Sequence, residues 1–169
     1  HVEASLDGRS VYVSNVTGGS VAAFAASNAG RTLTARGERP IEGFIADLET
    51  ADGFLFVALA GADSGLLRFD VEADSSLTAP REFAPGASLD SLAAPLTERE
   101  LYALDSLAQE LLVFDLFGGS AILDYRVRTR EGAFELDLQP GGLVFSRTRW
   151  VLAADPAAGS LRALELEYG

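Results

Sequence analysis

The sequence predicts an all-β array of about four small antiparallel sheets, and three recurrences along the chain predict it. The first is Val11-Tyr12-Val13-Ser14-Asn15, which returns as Leu55-Phe56-Val57-Ala58-Leu59, Leu101-Tyr102-Ala103-Leu104-Asp105 and Val151-Leu152-Ala153-Ala154-Asp155. Its second residues, Tyr12, Phe56, Tyr102 and Leu152, are spaced by 44, 46 and 50 positions. The second recurrence is an apolar stretch that follows a small, polar turn and ends in Phe24, Phe69, Phe114 and Leu164, at spacings of 45, 45 and 50. The third lies upstream, where Gly43-Phe44-Ile45-Ala46-Asp47-Leu48 aligns without gaps on Ala87–Leu92 and Ala133–Leu138, with Val2-Glu3-Ala4 as a shortened first copy. A repeat of ~40–50 residues holding three or four strands is the mark of β-propeller blades. The expectation is one propeller-type domain over residues 1–169, with blades near 1–40, 41–85, 86–131 and 132–169.

Each segment reads as strand on its own terms. The runs are short, rich in aromatic and β-branched residues, and broken by Gly, Asp, Asn and Pro. No window sustains a 3.6-residue apolar period. In the first blade, Asp7-Gly8 is a hairpin signal because both positions tolerate positive φ, and Gly18-Gly19 marks the next turn. In the second, an inner strand from Phe44 to Leu48 leads through the Asp52-Gly53 turn to Phe54–Ala58, then to Leu66–Val71 and a weak outer strand at Arg81–Ala84. The third blade's outer strand falls at Asp124–Thr129, where Arg126, Arg128 and Arg130 alternate with Tyr125, Val127 and Thr129 as an exposed edge would. The fourth blade reads as three strands. Blade periodicity assigns Tyr12, Phe56 and Tyr102 to the core rather than to a binding face. Three arrangements fit this register: a closed four-bladed ring, part of a larger propeller, or an open half-ring completed by another chain.

Composition narrows the functional classes. Of 169 residues, 25 are acidic and 13 basic, for a formal charge of -12, and every basic residue is arginine. Such a surface repels phosphate backbones and anionic lipid, which argues against nucleic-acid partners. Arginine without lysine fits a GC-rich coding bias, and the acid excess also suits salty surroundings. With no cysteine, disulfides and thiolate metal sites are impossible. The longest apolar stretch, Phe54 to Ala62, is far below the ~20 residues of a membrane helix. The chain opens on His1, so a removed leader or a longer parent chain is expected. The positive mean hydropathy points to apolar surface buried in interfaces.

The run Leu6-Asp7-Gly8-Arg9-Ser10-Val11-Tyr12-Val13-Ser14-Asn15, followed by Gly19-Ser20-Val21 and Phe24, resembles the YVTN or lactonase-like propeller repeat. Asp63-Ser64-Gly65-Leu66-Leu67-Arg68-Phe69-Asp70 resembles its second half. The resemblance covers essentially the whole chain and decays in the fourth copy. It implies a propeller fold and an extracellular, cell-surface or periplasmic location. It does not imply one activity, since the family includes lactonases and surface-layer proteins.

Few residues are suited to chemistry. One histidine and no lysine or cysteine disfavour Ser-His-Asp, Cys-His and Schiff-base catalysis, so no catalytic residue is assigned. The inner-strand alignment puts Glu3, Asp47, Ser91 and Asp137 at one position facing a common axis, which makes Glu3, Asp47 and Asp137 candidate calcium ligands. The alternative is that these acids are solvated or accept backbone N–H bonds. Asp70-Val71-Glu72-Ala73-Asp74 has a calcium-loop look but lacks the glycine and final glutamate, and reads as a solvated turn. Trp150, flanked by Arg147 and Arg149, could stack on a glycan or partner chain, or pack internally. The expected function is a non-catalytic secreted or cell-surface structural and interaction module that assembles with copies of itself or other chains. The alternative is a portion of a lactonase-like hydrolase acting on sugar lactones or related small molecules.

Overall fold

Alternating apolar residues on short strands can hide both faces only if sheet stacks on sheet, and that is the arrangement found. The computed structural model describes residues 1–27, 29–95, 99–116, 122–128, 135–138, 148–155 and 160–167. Among the described residues every element is a strand. The first sheet runs β1 (Val2–Ala4), β2 (Ser10–Asn15), β3 (Ser20–Ser27) and β4 (Thr32–Pro40). The second holds β5 (Phe44–Ala51), β6 (Phe54–Ala60), β7 (Gly65–Asp70) and β8 (Arg81–Phe83). The third holds β9 (Leu89–Ala93), β10 (Glu100–Asp105), β11 (Glu110–Asp115) and β12 (Ile122–Arg128), and the fourth β13 (Glu135–Leu138), β14 (Thr148–Asp155) and β15 (Ser160–Glu167). Within each sheet the strands pair antiparallel in chain order. This is a propeller-type array of blades, with β1, β5, β9 and β13 as the inner strands. β5 packs on β1, β9 on β5 and β13 on β9, while among the described residues β13 has no comparable packing on β1, so the described strands form an open arc.

Turn chemistry sets the hairpins. Asp52 (φ 48°) and Gly53 (φ 81°) are both left-handed and make the two-residue loop that pairs Ala51 with Phe54. A Cβ at Gly53 would meet nothing within 4 Å, so Gly53→Ala carries only the backbone penalty. It is expected to cost about 1 kcal/mol, read from urea unfolding. At Asp7-Gly8 only Gly8 is left-handed (φ 67°), because β1 ends at Ala4 and leaves a longer connection. There Gly8 N donates to Ser5 O at 2.8 Å and Ser5 Oγ to Asp7 Oδ1 at 2.7 Å. Asn15 Oδ1 accepts from Gly18 N as Asp105 Oδ1 does from Ala108 N, so the β2–β3 and β10–β11 turns share one device.

Two apolar layers hold the arc together. Tyr12, Val21 and Ala23 of the first sheet pack on Ile45, Leu55, Val57 and Phe69 of the second. Phe56, Ala58 and Leu66 of the second then pack on Leu89, Leu101, Leu112 and Phe114 of the third. Tyr12, Phe56 and Tyr102 are each fully buried, which bears out their assignment to the core. One charge lies in this layer. Arg68 is buried, with its guanidinium 4.2 Å from the Phe54 ring centre and 5.6 Å from that of Phe83. Its Nη2 donates to Asp70 Oδ1 at 2.9 Å. Stacking between two rings with one carboxylate partner lets a cation occupy a position that is Ala23 and Val113 in the neighbouring sheets.

Candidate functional site

Acids on the inner strands form the most unusual chemical feature of the arc. Asp47 reaches across to the next inner strand: Oδ2 accepts from Leu92 N at 2.9 Å and Ser91 Oγ at 3.1 Å. Its Oδ1 accepts from Leu48 N at 2.8 Å and lies 3.2 Å from His1 Nδ1. Glu3 Oε1 accepts from Thr50 Oγ1 at 3.1 Å, which ties the first inner strand to the second. Glu49, two residues from Asp47 on the same side of β5, accepts from the Ala94 backbone N–H in the same fashion. These carboxylates therefore brace one blade to its successor. Asp47→Ala is expected to cost about 1–3 kcal/mol in thermal or urea unfolding, because Leu92 N would lose its acceptor in a half-buried setting.

Burial raises the pKa of all three groups. Desolvation is the largest cause for Glu3 and for Asp47, where hydrogen bonds only partly oppose it. Glu49 is pushed up to about 8 by desolvation first, then by the Glu3 and Asp47 charges beside it. At neutral pH Glu49 thus holds a proton. A groove of about 740 Å³ opens beside Glu3, Glu49 and Thr50 at the end of the arc that carries the β1–β2 and β5–β6 turns, with Arg9 and Arg99 also on its walls.

The strand registers correct the inner-strand alignment. Glu3 pairs with Tyr12, Glu49 with Phe56 and Asp137 with Leu152, so Glu3, Glu49 and Asp137 share one level. Asp47 pairs with Ala58 and Ser91 with Leu104, one level further along. The gapless alignment of the four inner strands conceals a slide of two residues in the first and fourth copies. Such a slide preserves which face each side chain takes, so the apolar pattern could not reveal it. Of the calcium candidates, Glu3 and Asp47 are near neighbours, while only the backbone of Asp137 falls among what the structure describes. Among the described residues no group of three or more acids and histidines is placed to hold a metal ion. The Asp70–Asp74 run is a turn: Ser75 N donates to Glu72 O at 2.8 Å, and the exposed Asp74 accepts from Ser76 N at 3.0 Å. Arg147 lies outside the described residues. Arg149 and Trp150 are placed by backbone alone on β14, opposite Leu166 and Glu165. Arg126 is exposed on β12, 2.9 Å from Glu110, well away from the inner strands. Glu49 is the residue that sequence reading missed. Its signal was present, since a two-residue Asp52-Gly53 hairpin fixes Glu49 opposite Phe56 as Glu3 is opposite Tyr12.

A second feature belongs to the first sheet. Val2, Leu48 and Leu92 are register equivalents, yet Val2 is 70% exposed while Leu48 and Leu92 are 4% and 3% exposed. Val11, Val13 and Phe24 are half-buried where Leu55, Val57 and Phe69 are fully buried. In the second and third sheets the preceding blade covers these positions. In the first, nothing described covers them.

Fold and registers together define this chain as a partial β-propeller. Solved structures agree. It is similar to a putative 6-phosphogluconolactonase from Bacteroides uniformis, with 14% identity over 99% of this chain and 56% of that one, at a TM-score of 0.68. It is also similar to the β-propeller domain of Cps50 (Swd1) from Myceliophteria thermophila, at 12% identity, 99% and 57% coverage and a TM-score of 0.63. A chain of the mitotic checkpoint complex matches at 10% identity, 99% and 48% coverage and a TM-score of 0.75. Identities this low speak for the fold alone, and the chain spans about half the length of these structures. No protein-family model and no curated protein matches the sequence.

Proposed function

We propose that this chain is a non-catalytic structural and interaction module, secreted or displayed at the cell surface, that works by assembling with other protein chains. The uncovered apolar face of the first sheet carries this reading, because Val2, Val11, Val13 and Phe24 occupy positions that a neighbouring blade buries elsewhere in the same molecule. The likeness to a chain of a multiprotein complex supports it. So does the composition, which supplies one histidine and no lysine or cysteine for covalent chemistry. The location follows from the resemblance to the YVTN repeat.

A second reading, part of a lactonase-like hydrolase, draws on the likeness to a putative 6-phosphogluconolactonase and on the groove where protonated Glu49 faces Glu3 beside Arg9 and Arg99. The two readings separate on one assay. The purified, folded chain is expected to leave a panel of sugar lactones unhydrolysed by pH-stat titration between pH 5 and 9. Turnover that Glu49→Gln abolishes would overturn the structural reading.

A further inference from the structure

We infer that the loop end of the arc opposite the groove docks a partner protein through a segment that combines basic and large apolar side chains. The inference rests on the interaction-module reading and names the partner's chemistry, on a surface separate from the first-sheet face. That end is built from the β2–β3, β6–β7 and β10–β11 turns and from the connections that lead into β5 and β9. Short contacts join these loops into one continuous rim. Ile41 N donates to Gly19 O at 2.8 Å, and a Cβ on Gly43 would stand 3.2 Å from Asp63, so the connection into β5 is wedged between the first two turns. Gly61 N donates to Ser88 Oγ at 3.2 Å and Ser106 N to Asp90 Oδ2 at 2.9 Å, which carries the rim on to the third blade.

Three large apolar side chains stand out from this rim, with Val16 40% exposed, Phe44 58% and Leu107 83%. Val16 and Leu107 ride on turns that Asn15 and Asp105 close by accepting from Gly18 N and Ala108 N. Turns of this kind suit small or polar residues, and a leucine as exposed as Leu107 adds nothing to the core. A single exposed apolar residue is ordinary, but here one falls on each of three successive blades at the same end. The charge around them has one sign. Glu42 and Asp63 are exposed and, among the described residues, stand in no ion pair, while Glu38, Asp90 and Asp105 add further carboxylates. The described arginines nearest this end are engaged. Arg39 donates through Nε to Leu77 O at 2.7 Å, and Arg126 lies 2.9 Å from Glu110. Arg9 and Arg99 stand at the other end, on the walls of the groove. An acidic rim repels nucleic acid, anionic lipid and the same rim of a second copy. It complements arginine or lysine set among large apolar residues.

Phe44→Ser with Leu107→Ser offers the cleanest test, because both side chains stand in solvent and circular dichroism can verify that the fold is kept. Short fluorescent peptides serve as probes, one of tryptophan and arginine, one of serine and arginine, and one of tryptophan and glutamate. Fluorescence anisotropy is expected to show tight binding of the tryptophan–arginine peptide alone, weakened roughly 10-fold or more by the double variant. Glu42→Gln with Asp63→Asn is expected to weaken it as well and to flatten its salt dependence, and Val2→Ser to leave it unchanged. Equal binding of the serine–arginine peptide would reduce the rim to bare charge and overturns the inference. So does an absence of binding, or binding that the double variant does not alter. Self-association of the wild-type chain that the double variant dissolves gives the rim to a second copy, and overturns it too. Turnover in the lactone assay sinks the interaction-module reading itself, whereas a chain without turnover that binds no peptide loses only this docking surface.

Discussion

Phe56→Ala is expected to lower unfolding free energy by about 3–5 kcal/mol, the range for emptying a packed aromatic site. Phe56 is fully buried and belongs to the layer that joins the second and third sheets through Leu89, Leu101 and Phe114. The loss has two parts, the transfer of the ring to water and a cavity that rigid strands on both sides cannot close. A sheet of four short strands cannot bury two apolar faces alone, so the damage falls on the contact between blades rather than within one. Guanidinium unfolding followed by circular dichroism measures it. Retention of more than four-fifths of wild-type stability would contradict the stacking account, because the ring would then not be what binds one blade to the next.

Stability is expected to fall as pH rises through the neutral range, and Glu49→Gln to remove most of that slope. The folded chain holds Glu49 at about 8 against an ordinary value of 4.5. A group whose folded pKa is raised binds its proton more tightly in the native state. Its stabilising contribution is therefore complete below about 4.5 and is lost progressively as pH climbs toward 8. Each pH unit in that window costs up to about 1.4 kcal/mol. The neighbouring Glu3 and Asp47, also raised by burial, act in the same direction at the lower end of the window. Glu49→Gln keeps the shape and the acceptor for Ala94 N while abolishing the buried charge, so the variant should exceed wild type by a few kcal/mol at pH 8 and differ little at pH 4.5. Urea midpoints across pH 4.5 to 8.5 decide the matter. A flat wild-type profile would mean that Glu49 is well solvated.

The beat of the repeat was legible because each blade must offer the same shape to the next. That demand holds an aromatic at Tyr12, Phe56 and Tyr102 and a phenylalanine at Phe24, Phe69 and Phe114, whatever else drifts. The Asp52-Gly53 turn was legible for a local reason, since only such residues accept two left-handed positions in succession. The expected strands near Phe44, Phe54, Leu66 and Arg81 all formed. At Asp7-Gly8 the same dipeptide gave a longer loop, because the length of β1 and not the turn residues set the connection.

What remained hidden depends on distances between strands far apart in the chain. A slide of two residues leaves every side chain on its original face, so sequence alone placed Glu3 level with Asp47 when strand pairing sets it level with Glu49. The proton on Glu49 comes from burial and from two carboxylates brought near it by stacking, neither of which a linear pattern contains. The same holds for Val2. Its sequence neighbours say only that it is apolar, whereas its exposure, beside the burial of Leu48 and Leu92, follows from which sheet stands at the end of the arc. Periodicity decided the repeating unit because packing between like blades is a local rule, and the tertiary structure decided the site because exposure and charge are properties of the assembled stack.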